Sequence, residues 1–271
     1  MSDYLFSFIG TGNMGGALAR AAAKNVPADR LLLSDRHAEL AEKLAGELQC
    51  STGSSTDAAG KGRFVFLGVK PQMMRDLFAQ IGSVLAQRSD RFVLVSMAAG
   101  VTMEQICAMA GTDYPVIRIM PNIPCAAGKG MILYDTNGLV TDDELSEFLS
   151  GMGGAGLLDQ LDEHLIDAGS AITGCGPAFV SLFIEALADG GVACGLPRQK
   201  AMRYAAQMVE GSAALLGGGF FPHPGQLKDA VCSPAGSTIA GVLTLEQQGL
   251  RAAVTDAVIA ATRRTKELGK S

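Results

Sequence analysis

The chain has 271 residues and a formal net charge of −5, with 48% hydrophobic and 18% charged residues, a packed globular composition. Glycine is abundant at 34 residues but follows no triplet period, and Pro numbers only 10, which excludes collagen and Pro/Gly-rich disorder. Charges of both signs are spread without a basic block, so no nucleic-acid partner is expected.

Residues 1–9 lack the basic start and small-residue cleavage site of a signal peptide, and no uncharged apolar run reaches the length of a membrane helix. The six cysteines are scattered, with no Cys-x-x-Cys spacing, so reduced thiols in a cytoplasmic protein are expected. The three histidines form no metal-ligand spacing, and no metal is expected.

In chain order, Tyr4–Ile9 reads as a strand and 16–24 as an Ala-rich helix, with Gly10-Thr11-Gly12-Asn13-Met14-Gly15 between them. A second strand begins at Leu31 and ends at Ser34-Asp35-Arg36. A GxGxxG turn placed between strand and helix is the arrangement that binds a dinucleotide. Gly10 permits the tight turn, Gly12 lets backbone approach a pyrophosphate, and Gly15 permits close packing of helix on strand. The helix N-terminus then offers unpaired N–H groups and a positive dipole end to the phosphates.

The alternation continues with helices at 38–48, 72–88 and 103–110 and apolar strands at 64–69, 92–96 and 116–120. Continuous apolar strands separated by helices predict a parallel sheet covered on both faces, with ligands bound at the carboxyl ends of its strands. Those ends carry Val69-Lys70-Pro71, Met97-Ala98-Ala99 and Met120-Pro121-Asn122. Beyond Leu157-Leu158 no further strand is expected. Helices are predicted at 162–172, 177–194, 198–216, 226–232, 237–248 and 251–268. The predicted fold is α/β: a Rossmann-type dinucleotide-binding domain over 1–159 and a smaller all-helical domain over 160–271. The 177–193 helix is apolar nearly all round, so it must be buried, and a second subunit is expected to cover it.

The chain resembles the pyrroline-5-carboxylate reductases nearly end to end. The resemblance rests on Phe8-Ile9-Gly10-Thr11-Gly12-Asn13-Met14, Gly68-Val69-Lys70-Pro71, Ser96-Met97-Ala98-Ala99-Gly100 and Met120-Pro121-Asn122-Ile123-Pro124. In the helical half it rests on Gly174-Cys175-Gly176-Pro177-Ala178, Ala188-Asp189-Gly190-Gly191 and His223-Pro224-Gly225-Gln226-Leu227-Lys228-Asp229. Most specific is the last of these with Ser233-Pro234-Ala235-Gly236-Ser237-Thr238-Ile239 after it.

The resemblance implies NAD(P)H-dependent reduction of the C=N bond of 1-pyrroline-5-carboxylate to L-proline, by a homodimer that in some members assembles into rings of five dimers. It implies cofactor contacts from Ile9 to Gly15, from Val69, Lys70 and Pro71, from Met97, Ala98 and Ala99, and from Asn122 near the nicotinamide. Thr238 is carried over as the catalytic residue, hydrogen-bonded to the ring nitrogen and its proton donor, with water or an already protonated substrate as the alternative proton source and N-capping as its plainer role. Ser233, Gly236 and Ser237 are expected at the substrate carboxylate. Glu163 is carried over as a substrate contact, with a first-turn helix glutamate as its plainer role. His223 and Cys175 are expected to cap a loop and to pack, respectively.

An acid beyond the glycine turn takes the ribose hydroxyls of NAD, whereas a nearby Arg favours the 2′-phosphate of NADP. Successive strand residues point oppositely, so if Ser34 and Arg36 face the ribose, Asp35 turns away and the site accepts NADPH. The resemblance implies that Ser34 and a polar residue at or near Ser55 contact the 2′-phosphate. NADPH is the expected cofactor, with some use of NADH. Two alternatives remain at this point. A β-hydroxyacid-type reductase would need a catalytic lysine after Gly174, and none occurs until Lys200. A non-catalytic dinucleotide module would have no need of the Ser233–Thr238 loop.

Overall fold

The structure, a computed structural model, describes residues 3–268. The chain divides into two compact units. One comprises the residues up to Gly174 together with those from Ala261, and the other is Cys175–Ala260.

The first unit is built on eight strands: β1 (Tyr4–Ile9), β2 (Leu31–Ser34), β3 (Ser51–Thr52), β4 (Gly62–Leu67), β5 (Val93–Ser96), β6 (Val116–Met120), β7 (Gly130–Thr136) and β8 (Gly156–Gln160). Its helices are α1 (Asn13–Ala22), α2 (Ala38–Leu48), α3 (Ser55–Lys61), α4 (Met74–Ala86), α5 (Met103–Ala110), α6 (Asp142–Met152) and α7 (Glu163–Thr173). The strand order is β3-β2-β1-β4-β5-β6-β7-β8. Pairing is parallel from β3 through β6 and again between β7 and β8. The all-parallel expectation is corrected at one place, because β7 runs antiparallel to β6. β3, β7, α3 and α6 are elements that the sequence reading passed over.

Alternation along the central strands sorts apolar side chains onto two faces. Phe6, Phe8, Phe64 and Phe66 join Phe148 of α6 in one core. There the Phe8 and Phe66 rings stack at 4.3 Å, and Phe6 meets Phe64 edge-on at 5.5 Å. On the other face Ile9, Val65, Leu67 and Leu94 pack with Leu77, Phe78 and Ile81 of α4. The sheet is therefore buried on both sides, as continuous apolar strands require.

The composition changes near residue 160, but the first compact unit continues to Gly174. Ile166 of α7 is fully buried with Met120 and Leu133. Glu163 and Asp167, also on α7, pair with Arg118 of β6.

The second unit holds α8 (Gly176–Ala193), α9 (Arg198–Gly217), α10 (Pro224–Val231) and α11 (Ser237–Gln247), and α12 (Leu250–Leu268) follows. Each matches a predicted helix to within two residues at either end. Ala188 of α8 and Ala201 and Ala205 of α9 are buried. Other faces of these helices are open: Val180, Leu182, Phe183 and Leu187 of α8 are all exposed in the single chain. The helical run Glu163–Ala193, interrupted only at Gly174 and Cys175, is long and apolar enough to cross a membrane by length and composition, with a mean hydropathy of 1.6.

Candidate active site

At the carboxyl end of β1 the chain turns sharply. Gly10 has a φ of +101°, and a Cβ there would lie 2.5 Å from the Gly68 carbonyl oxygen. A Cβ on Gly15 would collide with the Gly10 carbonyl oxygen. Gly12 has open space where its Cβ would be. Turn, packing and approach thus fall on Gly10, Gly15 and Gly12 as the motif predicts. Gly12 is the N-cap of α1, and no side chain caps that helix. The N–H groups of Asn13, Met14 and Gly15 in the first turn have no intrahelical partner, which suits a pyrophosphate. Ile9, at the end of β1, is buried beneath the turn.

Beside the turn, Asp35 accepts hydrogen bonds from Thr11 N–H at 2.7 Å and from Thr11 Oγ1 at 3.2 Å. Its other carboxylate oxygen accepts from His37 N–H at 2.9 Å. Ser34 is buried, with its hydroxyl 3.3 Å from that of Ser55. Arg36 is exposed and has no ion pair among the described residues.

Lys70 and Pro71 lie exposed just past β4, and Val69 is half-buried. Past β5, Met97 and Ala99 are half-buried and Ala98 is buried. These segments end neighbouring strands β4 and β5, the edge to which the glycine turn also belongs. The structure therefore brings the predicted cofactor segments to one edge of the sheet.

Asn122 follows β6, which pairs parallel with β5, so it lies past the end of the next strand on the same edge. It is buried, and its Nδ2 donates to the Thr173 carbonyl at 2.9 Å while its Oδ1 accepts from Met131 N–H at 3.0 Å. Its amide ties the end of β6 to β7 and α7. Glu163 is likewise engaged. Its Oε1 accepts from Met103 N–H at 2.7 Å and lies 3.3 Å from Arg118 Nη1, and its own N–H donates to Asp135 at 2.7 Å. It sits in the first turn of α7 and holds the start of α5 through Oε1. An open cleft of about 900 Å³ adjoins it, lined also by Met103, Cys107, Asn137 and Leu139, and none of the predicted cofactor residues lines that cleft.

Arg118 was missed by sequence reasoning, although an arginine inside the apolar run Val116-Ile117-Arg118-Ile119-Met120 is a visible anomaly. It is 2% exposed and pairs with Asp167 at 2.9 Å as well as with Glu163. Its Nε has no partner among the described residues.

In the second unit, His223 accepts from Gly225 N–H at 3.0 Å through Nδ1 and so caps α10, as expected. The loop that follows α10 turns at Ala235, whose φ is +56°. Gly236 N–H donates to the Ser233 carbonyl at 3.1 Å, and a Cβ on Gly236 would collide with the Ser233 hydroxyl. Gly236 is the N-cap of α11, and no side chain caps the helix. N-capping is therefore not the role of Thr238. Its hydroxyl is exposed and unpaired among the described residues, in the first turn of α11 beside the exposed Ser233 and Ser237. Free first-turn N–H groups and a free hydroxyl together can receive a carboxylate and a ring nitrogen.

Cys175 is half-buried and precedes α8, and all six cysteines are free. Among the described residues no group of three or more His, Cys, Asp or Glu is placed to hold a metal.

Residues 163–268 match the family model for pyrroline-5-carboxylate reductase dimerisation, and residues 6–100 match that of NADP oxidoreductase coenzyme F420-dependent. The pyrroline-5-carboxylate reductase of Pisum sativum is 37% identical, over 99% of this chain and 97% of that protein. The one from Synechocystis is 39% identical, over 94% of this chain and 96% of its own length. Among solved structures, the Plasmodium falciparum pyrroline carboxylate reductase with NADP bound superposes with a TM-score of 0.86 at 28% identity, covering 99% of both chains.

Proposed function

The chain belongs to the pyrroline-5-carboxylate reductase family, and from that membership we infer that it reduces 1-pyrroline-5-carboxylate to L-proline with NADPH. The observation that carries this reading beyond dinucleotide binding is the uncapped start of α11 with the free Thr238 hydroxyl.

The turn of Gly10, Gly12 and Gly15 fits a pyrophosphate, and Ser34, Ser55 and Arg36 fit the phosphorylated ribose of NADPH. Lys70 and the Met97–Ala99 segment would flank the nicotinamide end. Bound NADPH supplies a hydride for the C=N carbon. The protein residues do the rest by positioning. A cyclic imine accepts hydride better with its nitrogen protonated, because the carbon then has iminium character. Thr238 Oγ1 holds that nitrogen by a hydrogen bond. A threonine hydroxyl is a weak acid, so the proton arrives with the substrate or from water rather than from Thr238 itself. The N–H groups opening α11, with Ser233 and Ser237, hold the substrate carboxylate. No covalent nucleophile is required.

The family's dimerisation region and the exposed apolar face of α8 support oligomerisation. A homodimer is the minimal assembly that covers this face, and a ring of five dimers is the larger assembly compatible with it. Six free thiols suit a reducing cytoplasm. The test is oxidation of NADPH and of NADH by the purified protein, with and without 1-pyrroline-5-carboxylate. Imine-dependent oxidation with a higher kcat/KM for NADPH is expected, and no activity with either nicotinamide refutes the reading. Arg36→Ala should lower kcat/KM for NADPH about tenfold, the loss of one charge-assisted phosphate contact, while sparing NADH.

A further inference from the structure

In dinucleotide-binding sheets, the acid that follows the second strand ordinarily hydrogen-bonds the ribose hydroxyls of NAD. Asp35 occupies that place here, immediately after β2. Its carboxylate is already engaged with the protein. Oδ2 accepts from Thr11 N–H and lies within reach of Thr11 Oγ1, and Oδ1 accepts from His37 N–H. Of roughly four lone-pair positions on a carboxylate, three are therefore occupied.

The partner is also informative. Thr11 lies between Gly10, whose φ is +101°, and Gly12, the N-cap of α1. The peptide that carries Thr11 N–H turns about ψ of Gly10 and φ of Thr11, and Gly10, lacking a Cβ, restrains it little on its side. Only Thr11 and its contacts define which way the Thr11 N–H points. That direction in turn fixes the entry of the chain into α1, whose free N–H groups face the phosphates. A second bond reinforces the same junction, since Gly10 N–H donates to the Ser34 carbonyl at 2.8 Å. Thr11 is only 7% exposed, so its hydroxyl is held inside this junction rather than offered to a ligand.

We propose that Asp35 is a positioning residue which clamps the glycine turn through Thr11, and that it is not a ribose ligand. The proposal rests on the NADPH reading given above. It adds a reason for that preference. Holding the carboxylate on Thr11 keeps a negative charge from reaching into the ribose pocket, where it would favour NAD and repel a 2′-phosphate. Ser34, Ser55 and Arg36 are left to face that position.

The two roles for Asp35 give opposite signatures. If it were a ribose ligand, Asp35→Ala would weaken NADH and leave NADPH equal or tighter. If it is the clamp, Asp35→Ala weakens both cofactors by a similar factor of about tenfold, as expected for loss of a charge-assisted hydrogen bond. In turnover, the rise in KM for the cofactor should then exceed the fall in kcat by about the same factor. Asp35→Asn keeps one acceptor for Thr11 N–H and should fall between the native protein and Asp35→Ala for both cofactors. Thr11→Val, which removes only the hydroxyl, should give a smaller loss that is less than additive with Asp35→Ala.

The measurement is direct titration of the purified full-length protein with NADPH and with NADH, with thermal unfolding as a check on folding. Titration needs no imine, so failure of the reductase reading would leave this result readable. If Asp35→Ala does not fold, Asp35→Asn and Thr11→Val carry the test. A loss confined to one cofactor, or no loss for either, overturns the clamp.

Discussion

Replacing Arg118 by Met tests what the buried charge cluster contributes. Arg118 is 2% exposed and pairs with Glu163 at 3.3 Å and Asp167 at 2.9 Å, whose side chains are 25% and 21% exposed. Removing one member of a buried ion pair costs about 3–5 kcal/mol, because the remaining charge is left uncompensated. Here both carboxylates keep some access to water, which places the cost near the lower end. Met also removes the unpartnered Nε of Arg118, worth about 1 kcal/mol in the opposite direction. The net expectation is a loss of about 2–3 kcal/mol, or a drop in Tm of roughly 4–12 °C for a unit of this size. Urea unfolding at one fixed protein concentration reads it, as a lower midpoint with unchanged slope. The triple replacement Arg118→Met, Glu163→Gln, Asp167→Asn leaves no charge unpaired and should recover at least half of the loss. A single variant within about 1 kcal/mol of the native protein refutes the reasoning. So does a triple variant less stable than the single one.

Other consequences are as specific. Thr238→Ala should lower kcat roughly 10²-fold while NADPH binding stays close to native, and unchanged turnover would remove Thr238 from the chemistry. Gly12→Ala meets open space, so thermal stability should hold while NADPH titration weakens about tenfold or more through steric exclusion of the pyrophosphate. Gly15→Ala drives a Cβ into the Gly10 carbonyl and should lose about 1–3 kcal/mol of stability as well as affinity; equal Tm values for the two glycine variants would contradict this division. Glu144 is buried, which alone would raise its carboxyl pKa, yet bonds from Arg91 at 2.8 and 3.0 Å and from Thr141 N–H bring it below the usual range. A depressed folded value means that its contribution is complete above the unfolded pKa of about 4.3 and is lost as pH falls below it. Thermal unfolding between neutral pH and pH values near that point should show Glu144→Gln less sensitive to acid than the native protein.

The fold was legible wherever local pattern and long-range packing agree. The glycine turn, the apolar strands and the helices of the second unit obey that condition. β7 did not, because Met131-Ile132-Leu133-Tyr134 is a short apolar run that fits a strand or a buried helix segment equally well. Its direction, however, was encoded in chain length. Residues 121–129 separate β6 from β7, and a parallel return needs a crossover of a dozen or more residues, usually through a helix. The antiparallel pair follows from that shortage. α6 was also signalled, by Thr141 followed three residues later by Glu144, a capping box that the structure forms.

At the site, residue type was easier to read than residue partner. Asn122 and Glu163 have the chemistry of ligand contacts, but buried carbonyl and N–H groups need partners, and each side chain supplies them locally. Both lie where β6 and α7 leave such groups exposed to one another, a circumstance of tertiary packing that no spacing in the sequence records. Thr238 is the converse case. Gly236 takes the N-cap position two residues before it, and a glycine cap offers no side-chain acceptor. What the glycine leaves free is the backbone N–H groups of the first turn, beside the unpaired Thr238 hydroxyl. Asp35 shows how far such dependence reaches. Strand alternation predicts that it turns away from Ser34 and Arg36, but what it turns toward depends on the positive φ of Gly10, 25 residues upstream, which aims Thr11 at it. At both places a glycine shapes the backbone: Gly236 leaves the first turn of α11 without a side-chain cap, and Gly10 turns the chain where Thr11 meets Asp35.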